Sequence, residues 1–228
     1  MAGGVPLLAA AASKASGLVT YSLPVQTVIL MTMLMFVPAI VLMMTGFTRI
    51  IIVLSLLRQA LGLSTMPPNI VLIGLALFLT FFVMQPTWSQ INRHALEPLE
   101  AGTVTVTQAI GIGATPLRTF MLKNTTKDAT AEFLRMDGIK KALPTAAAIP
   151  MRVLIPAFAV SQLESGFEIG FLVYLPFLVI DLLVAAVLMA MGMMMVSPQT
   201  ISIPLKLMLF VLSGGWLLVT GTLVRSFS

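Results

Sequence analysis

"LPFLVIDLLVAAVLMAMGMMMVSP", residues 175–198, carries one charged side chain, Asp181, among apolar neighbours. The next charge is Lys206. A segment that is apolar on every side of a helix belongs in a core or across a bilayer, and about 20 such residues suffice to span one. The stretch therefore reads as one arm of an apolar helical hairpin. Its end is unusual. Five of the seven residues from Met189 to Met195 are methionine, and Pro198 follows. Leucine would pack more rigidly, so the choice of methionine needs a reason.

The whole chain fits that setting. Of its 228 residues, 58% are hydrophobic and 9% charged, with a mean hydropathy of +1.05. A soluble domain carries about 25% charged residues. Cysteine is absent, which removes disulfides, thiolate catalysis and cysteine metal sites. The single histidine, His94, leaves no histidine cluster for a metal or a triad. The net charge of +5 is spread along the chain, which suits an anionic membrane surface better than nucleic acid.

Charge-free windows place four apolar segments at roughly 25–57, 69–88, 169–196 and 203–224. The first is too long for one span, and Pro38 is expected to kink or divide it. Pro-bearing turns, STMPPN at 64–69 and VSPQTISIP at 196–204, join the members of each pair. The expected fold class is all-α: a first apolar hairpin over 23–92, a polar helical insert over 93–152, and a second hairpin over 153–228. Residues 1–22 read as a small-residue leader or mature N-terminus; VPLLAAAA at 5–12 has no positive residue before it and so matches a secretory signal only in part. Within the insert, Thr115-Pro116 reads as an N-cap and first-turn proline. Thr126 to Asp137 reads as a short helix ended by Gly138, and Pro150 opens another helix to about Gly166. The insert holds 8 Lys/Arg against 5 Asp/Glu, which by the basic-loop rule favours the cytoplasm.

Four features could carry chemistry. Arg49 and Arg58 flank IIIVLSLL and point to opposite sides of a helix; they are snorkelling cations or inter-subunit ion-pair partners. Glu164 and Glu168 share one helical face, where like charges repel. With no basic or histidine companion nearby they suit contact with another segment or subunit, not catalysis. Asp181 is either an ion relay or, the preferred reading, a structural partner for a Lys or Arg. Ala186 and Ala190 form a small-xxx-small pair permitting close helix approach. GIGATP at 111–116 lacks the third glycine of a nucleotide loop, and the sequon Asn124-Thr125-Thr126 is too short to weigh. No catalytic, cofactor or metal residues are expected. Met193 to Met195, three in succession, cannot all lie on one buried stripe. Methionine is apolar and adaptable, so it can close around chains of unlike shape.

Five blocks together resemble the FliP family of flagellar biosynthesis proteins of type III export: PAIVLMMTGFTRIIIVLSLLRQALG (38–62), PPN with GLALFLTFFVMQP (67–86), ATPLRTFML (114–122), IPMRVLIPAFAVSQL (149–163) and MGMMMVSP through IPLKLMLFVL (191–212). They cover about 23–225 in the family's order. The resemblance implies a non-enzymatic core subunit of the export gate at the bacterial inner membrane, in the flagellar basal body. It implies several copies, about five, joined in a helical ring with FliQ and FliR proteins and other export-apparatus membrane proteins. The ring surrounds a pore that passes unfolded polypeptides. It implies that the assembly sits largely above the bilayer plane and that the insert is periplasmic, against the basic-residue count. It also implies that Met191, Met193, Met194 and Met195 line the narrowest part of the pore as a deformable gasket. Val196-Ser197-Pro198 departs from the double-proline ending of that loop in the family. Arg49, Arg58, Glu164 and Asp181 are expected at subunit contacts. The alternatives are the homologous gate of a virulence injectisome and, from another class, an ion or solute transporter built on inverted repeats.

Overall fold

A computed structural model describes residues 42–139, 148–193 and 195–227, together with Val28, Met31, Thr32 and Met35. The described residues are helical or turn, with no strand among them. The four early residues are helical, and the Thr32 hydroxyl donates to the Val28 carbonyl at 2.8 Å. The leader at 1–22 and Pro38 lie outside the described residues. From residue 42 onward the first apolar segment is interrupted at Met44–Gly46 and restarts as α1, Phe47–Ala60.

Ile50, Val53, Leu54, Leu57 and Ala60 form the buried stripe of α1, at the three- and four-residue spacing of one helical face. The stripe packs on Leu72 and Ala76 of α2 (Asn69–Ile91), on Phe177 of α6 (Met151–Ala190), on Phe210 of α7 (Pro198–Leu212), and on Val219 and Leu223 of α8 (Gly215–Arg225). α1, only 14 residues long, is thus the axis against which the long α2 and α6 pack.

α2 does not end near residue 88. It passes through a π turn at Asn92–Leu96 into the short α3, Glu97–Glu100. The polar insert therefore begins as an extension of an apolar helix. Its next helix, α4, is Val106–Lys123. The expected start at Thr115-Pro116 is corrected: Thr105 is the N-cap, forming a reciprocal capping box with Gln108, and Pro116 lies inside the helix. The Thr105 signal is the better one because the N3 glutamine returns a bond to the cap backbone. α5, Lys127–Met136, starts at the Thr126 cap and stops before Gly138, as its caps predict.

The helix opened by Pro150 does not close at Gly166. α6 runs 40 residues through Pro156 and Pro176, about 60 Å at about 1.5 Å per residue. What reads as two segments is one helix. Its N-terminal half carries the insert: the Thr126 amide donates to Ser161 Oγ at 3.0 Å, and Gln162 Nε2 donates to the Asn124 carbonyl at 2.8 Å. Met121, Ile149, Val153, Leu154 and Phe158 close a second, smaller core there. The last segment is also corrected. It is broken at Ser213–Gly214 into α7 and α8, bent by 66°, with Gly214 at φ +63, a conformation glycine adopts without penalty. Among the described residues two helices, Asn69–Glu100 and Met151–Ala190, are long and apolar enough to cross a membrane, or three if the bent pair counts as one.

Candidate functional site

The methionine turn joins α6 to α7. Three backbone bonds close the helix: Met191 N to Val187 O, Gly192 N to Met189 O and Met193 N to Leu188 O, each 3.0 Å. This is a Schellman termination, with its left-handed residue at Gly192, φ +74. The chain then re-enters a helix through extended Ser197 and Pro198 at the first position, where a missing N–H costs nothing. Both ends of the turn are held by backbone geometry, so the methionine side chains between them are not needed for packing. They are accordingly exposed: Met191 is 68%, Met193 42% and Met195 100% accessible. Met194 lies outside the described residues. A filler role within this chain's own core would have required burial.

Below the turn a polar pin crosses three helices. Lys206 Nζ donates to Asp181 Oδ2 at 2.6 Å and to the Ala60 carbonyl at 2.9 Å, and Ser202 Oγ donates to Asp181 Oδ1 at 2.6 Å. Lys206 is 4% exposed and Asp181 32% at the side chain. The ammonium therefore neutralises a carboxylate and also occupies the C-terminal carbonyl end of α1, where a cation is favoured. Asp181 has the lysine partner its isolation suggested. The partner belongs to the same chain.

Arg49 uses the same principle at the opposite end of α1. Its Nη1 donates to the Ser226 carbonyl at 2.8 Å and to Ser226 Oγ at 3.1 Å, while its guanidinium carbon lies 4.1 Å from the centre of the Phe227 ring. The C-terminal end of α8 thus receives its cation. Phe227 in turn stacks on Phe120 of α4 at 6.1 Å. Arg58 braces the α1–α2 turn through Asn69 Oδ1 at 2.5 Å and the Pro67 carbonyl at 3.3 Å. Arg118 reaches the Ile149 carbonyl from α4. Glu164 and Glu168 are exposed and enter no salt bridge among the described residues.

Several residues that organise the site carry weak sequence signals. Ser202 and Ser226 are ordinary hydroxyls whose roles depend on distant partners. Gly166 and Gly170 are a clearer omission: they form a small-xxx-small pair on α6, where Ile52 and Leu56 of α1 crowd the places a Cβ would occupy. Ala186 and Ala190, the pair expected to permit close approach, are exposed. Among the described residues no group of three or more His, Cys, Asp or Glu could hold a metal ion.

Long apolar helices, buried cations on helix C-termini and an exposed methionine turn together define a helical membrane protein. The FliP family profile matches residues 30–223. The chain is 55% identical over 208 residues to the flagellar biosynthetic protein FliP of Pectobacterium carotovorum subsp. carotovorum, covering 91% of this chain and 80% of that protein. It is 50% identical over 209 residues to the protein of that name from Buchnera aphidicola subsp. Acyrthosiphon pisum, covering 92% of this chain but 55% of that one. With the Bacillus subtilis protein of that name it shares 46% identity over 203 residues, 89% and 91% of the two chains. The chain belongs to the FliP family.

Proposed function

We propose that this chain is a core, pore-forming subunit of the flagellar type III protein export gate, passing unfolded flagellar proteins across the bacterial inner membrane. Several copies join with FliQ- and FliR-type proteins. Much of the assembly lies on the periplasmic side in the basal body. The chain turns over no substrate itself, and energy for transport comes from partners.

The observation that carries this reading is the methionine turn. Its backbone is fixed at both ends by a Schellman termination and a proline entry, yet Met191, Met193 and Met195 are exposed and free to meet the same turn in neighbouring copies. Met194 belongs to the same proposed gate. A ring of thioethers gives a narrow apolar constriction that excludes ions by dewetting and yields to a passing chain, because methionine is unbranched with three rotatable bonds. Leucine would give a ring of fixed size. That difference accounts for the residue choice.

Subunit contacts follow from exposure. Glu164 and Glu168 face outward and are proposed to meet a basic surface on a neighbour. Arg49, Arg58 and Asp181 act at contacts by shaping them, since their own polar groups are engaged inside the chain. The test is direct imaging of the full chain coexpressed with its export-apparatus neighbours and purified in mild detergent. A ring with a central pore, methionine turns at its narrowest level, is the expected result. A monodisperse monomer, or a ring with the turns on its outer rim, overturns the proposal.

A further inference from the structure

Two stripes of this chain face away from α1 and match in layout. On α2, Ala76, Thr80 and Met84 are buried. Phe78 and Phe82, two positions to either side of Thr80 and so about 200° around the helix, stand exposed on the opposite face. Arg93 continues that face, eleven residues beyond Phe82, or about three turns and 16 Å. It is exposed and enters no salt bridge among the described residues. Beside it an open hollow of 570 Å³ is walled by Trp88, Ile91 and Leu96, and its one acid, Glu97, accepts from Asn92 Nδ2 at 2.9 Å. On α6, Gly166, Gly170 and Phe177 are buried. The opposite face carries Glu164, Glu168, Phe171 and Leu175, with Phe167 at its edge, all exposed. Glu164 precedes Leu175 by the same eleven residues.

We infer that these stripes bind each other between copies of this chain, the α6 face of one on the α2 face of the next. Glu164 and Glu168 then meet Arg93, Phe167 enters the hollow beside Trp88, and Leu175 lies against Phe82. The inference rests on the reading of the chain as one of several copies in a gate, and names the faces that join them. Charge selects the occupant. Two carboxylates four residues apart repel on one helix, and a guanidinium with its fork of donors can serve both. A hydrocarbon cover would serve neither. Direction agrees. α2 leads into the insert and α6 leads out of it, so both stripes carry their charges at the insert end. α4 ties those ends together: a Cβ on Gly113 would lie 3.6 Å from that of Ala95, and Phe120 meets Phe158 edge-on at 6.0 Å. Copies joined this way stand parallel and meet through two different faces, a head-to-tail contact that repeats into a ring or a helix.

The chain has no cysteine, so introduced ones are the only thiols it carries. Phe82→Cys and Leu175→Cys are placed in the full chain, singly and together, coexpressed with its export-apparatus neighbours and treated in membranes with a bismaleimide. The double variant should crosslink into dimers and higher multiples of this chain. Neither single variant should crosslink to its own kind, because unlike faces meet. Arg93→Glu should lower the yield of assembled copies about tenfold, since like charges then face each other across the contact. Adding Glu164→Lys and Glu168→Lys to that chain should restore most of the yield, which a folding defect in Arg93→Glu would not allow. An assembled double-cysteine variant that does not crosslink overturns the inference and leaves the multi-copy reading standing. Crosslinking of a single variant to itself overturns it in favour of like faces meeting. Absence of rescue by the lysines overturns it as well. A parent chain that stays monomeric among its neighbours overturns both readings.

Discussion

Lys206 Nζ sits 2.6 Å from Asp181 Oδ2 and is far more deeply buried than its partner, 4% against 32% exposed. That inequality makes the pair asymmetric under mutation. Asp181→Ala strands a buried ammonium with one carbonyl, at a cost of about 3–5 kcal/mol, the range for breaking a buried ion pair. Lys206→Met leaves a carboxylate that solvent can reach and should cost about 1–3 kcal/mol. The double change Asp181→Leu with Lys206→Met should recover part of the loss, since apolar replacement of a whole buried pair is often tolerated. Thermal unfolding in detergent, followed by size-exclusion recovery, checks the order. Equal losses in the two single variants would contradict the asymmetry.

Gly170 and Gly111 predict opposite responses to the same substitution. At Gly170 an added Cβ lies 3.2 Å from Leu56 Cβ and in still closer conflict with Leu56 Cδ1, at the α1–α6 crossing. Gly170→Ala should destabilise by about 1–3 kcal/mol through overpacking, and Leu56→Ala in the same chain should relieve it. Gly111 has nothing within 4 Å and lies inside α4, so Gly111→Ala should stabilise by up to about 1 kcal/mol through helix propensity. Comparative thermal shifts on the two single variants decide it.

Two threonines test which helix start is real. Thr105 accepts from the Gln108 amide and Thr115 does not cap α4. Thr105→Ala should therefore cost about 1 kcal/mol. Thr115→Ala, within the helix, should fall within about 0.5 kcal/mol of neutral. Amide hydrogen exchange across 106–110 should accelerate in the first variant alone.

Arg49 and Phe227 should be energetically coupled. The guanidinium lies over the ring while its Nη1 holds the Ser226 backbone. A double-mutant cycle with Arg49→Met and Phe227→Leu should give a coupling of about 0.5–2 kcal/mol, the range for a cation over an aromatic face. A coupling near zero would mean that the two residues only share a neighbourhood.

Much of this architecture is visible in the residues because hydropathy is a local property. The all-α class, the turn at 64–69, the Thr126 cap and the Gly138 stop all rest on neighbours in sequence, whereas the turn expected at 196–204 lies earlier, before Pro198, because Pro198 opens α7 and does not break the chain. The errors share one cause, a reliance on punctuation. Pro116 suggests a start and Gly166 a stop, yet both lie inside helices, because tertiary packing on α1 and α2 holds those helices through residues that discourage them locally. Gly166 is tolerated for the very reason that makes it a poor helix former: it has no side chain where Ile52 approaches. The break at Gly214 fails the opposite way, since an uncharged run gives hydropathy no reason to divide it. The charged residues were legible as residues needing partners. Lys206 as the partner of Asp181, 25 positions away, and Ser226 as the partner of Arg49, 177 positions away, were not, because separation in sequence carries no distance.

The central claim is that the α6–α7 methionines form a gate, and ion conductance through the assembled complex tests it most directly. Met193, Met194 and Met195 are changed together to alanine, and complex yield is measured alongside conductance in planar bilayers. Shortening the side chains should widen the apolar constriction and admit water and ions. Oxidation of the native methionines to sulfoxide should do the same by making the ring polar without shortening it. The account predicts a leaking channel at near-normal yield, because the Schellman turn and the Lys206–Asp181 pin hold the hairpin without those side chains. Native conductance with collapsed yield would show that the methionines pack the assembly and do not gate it.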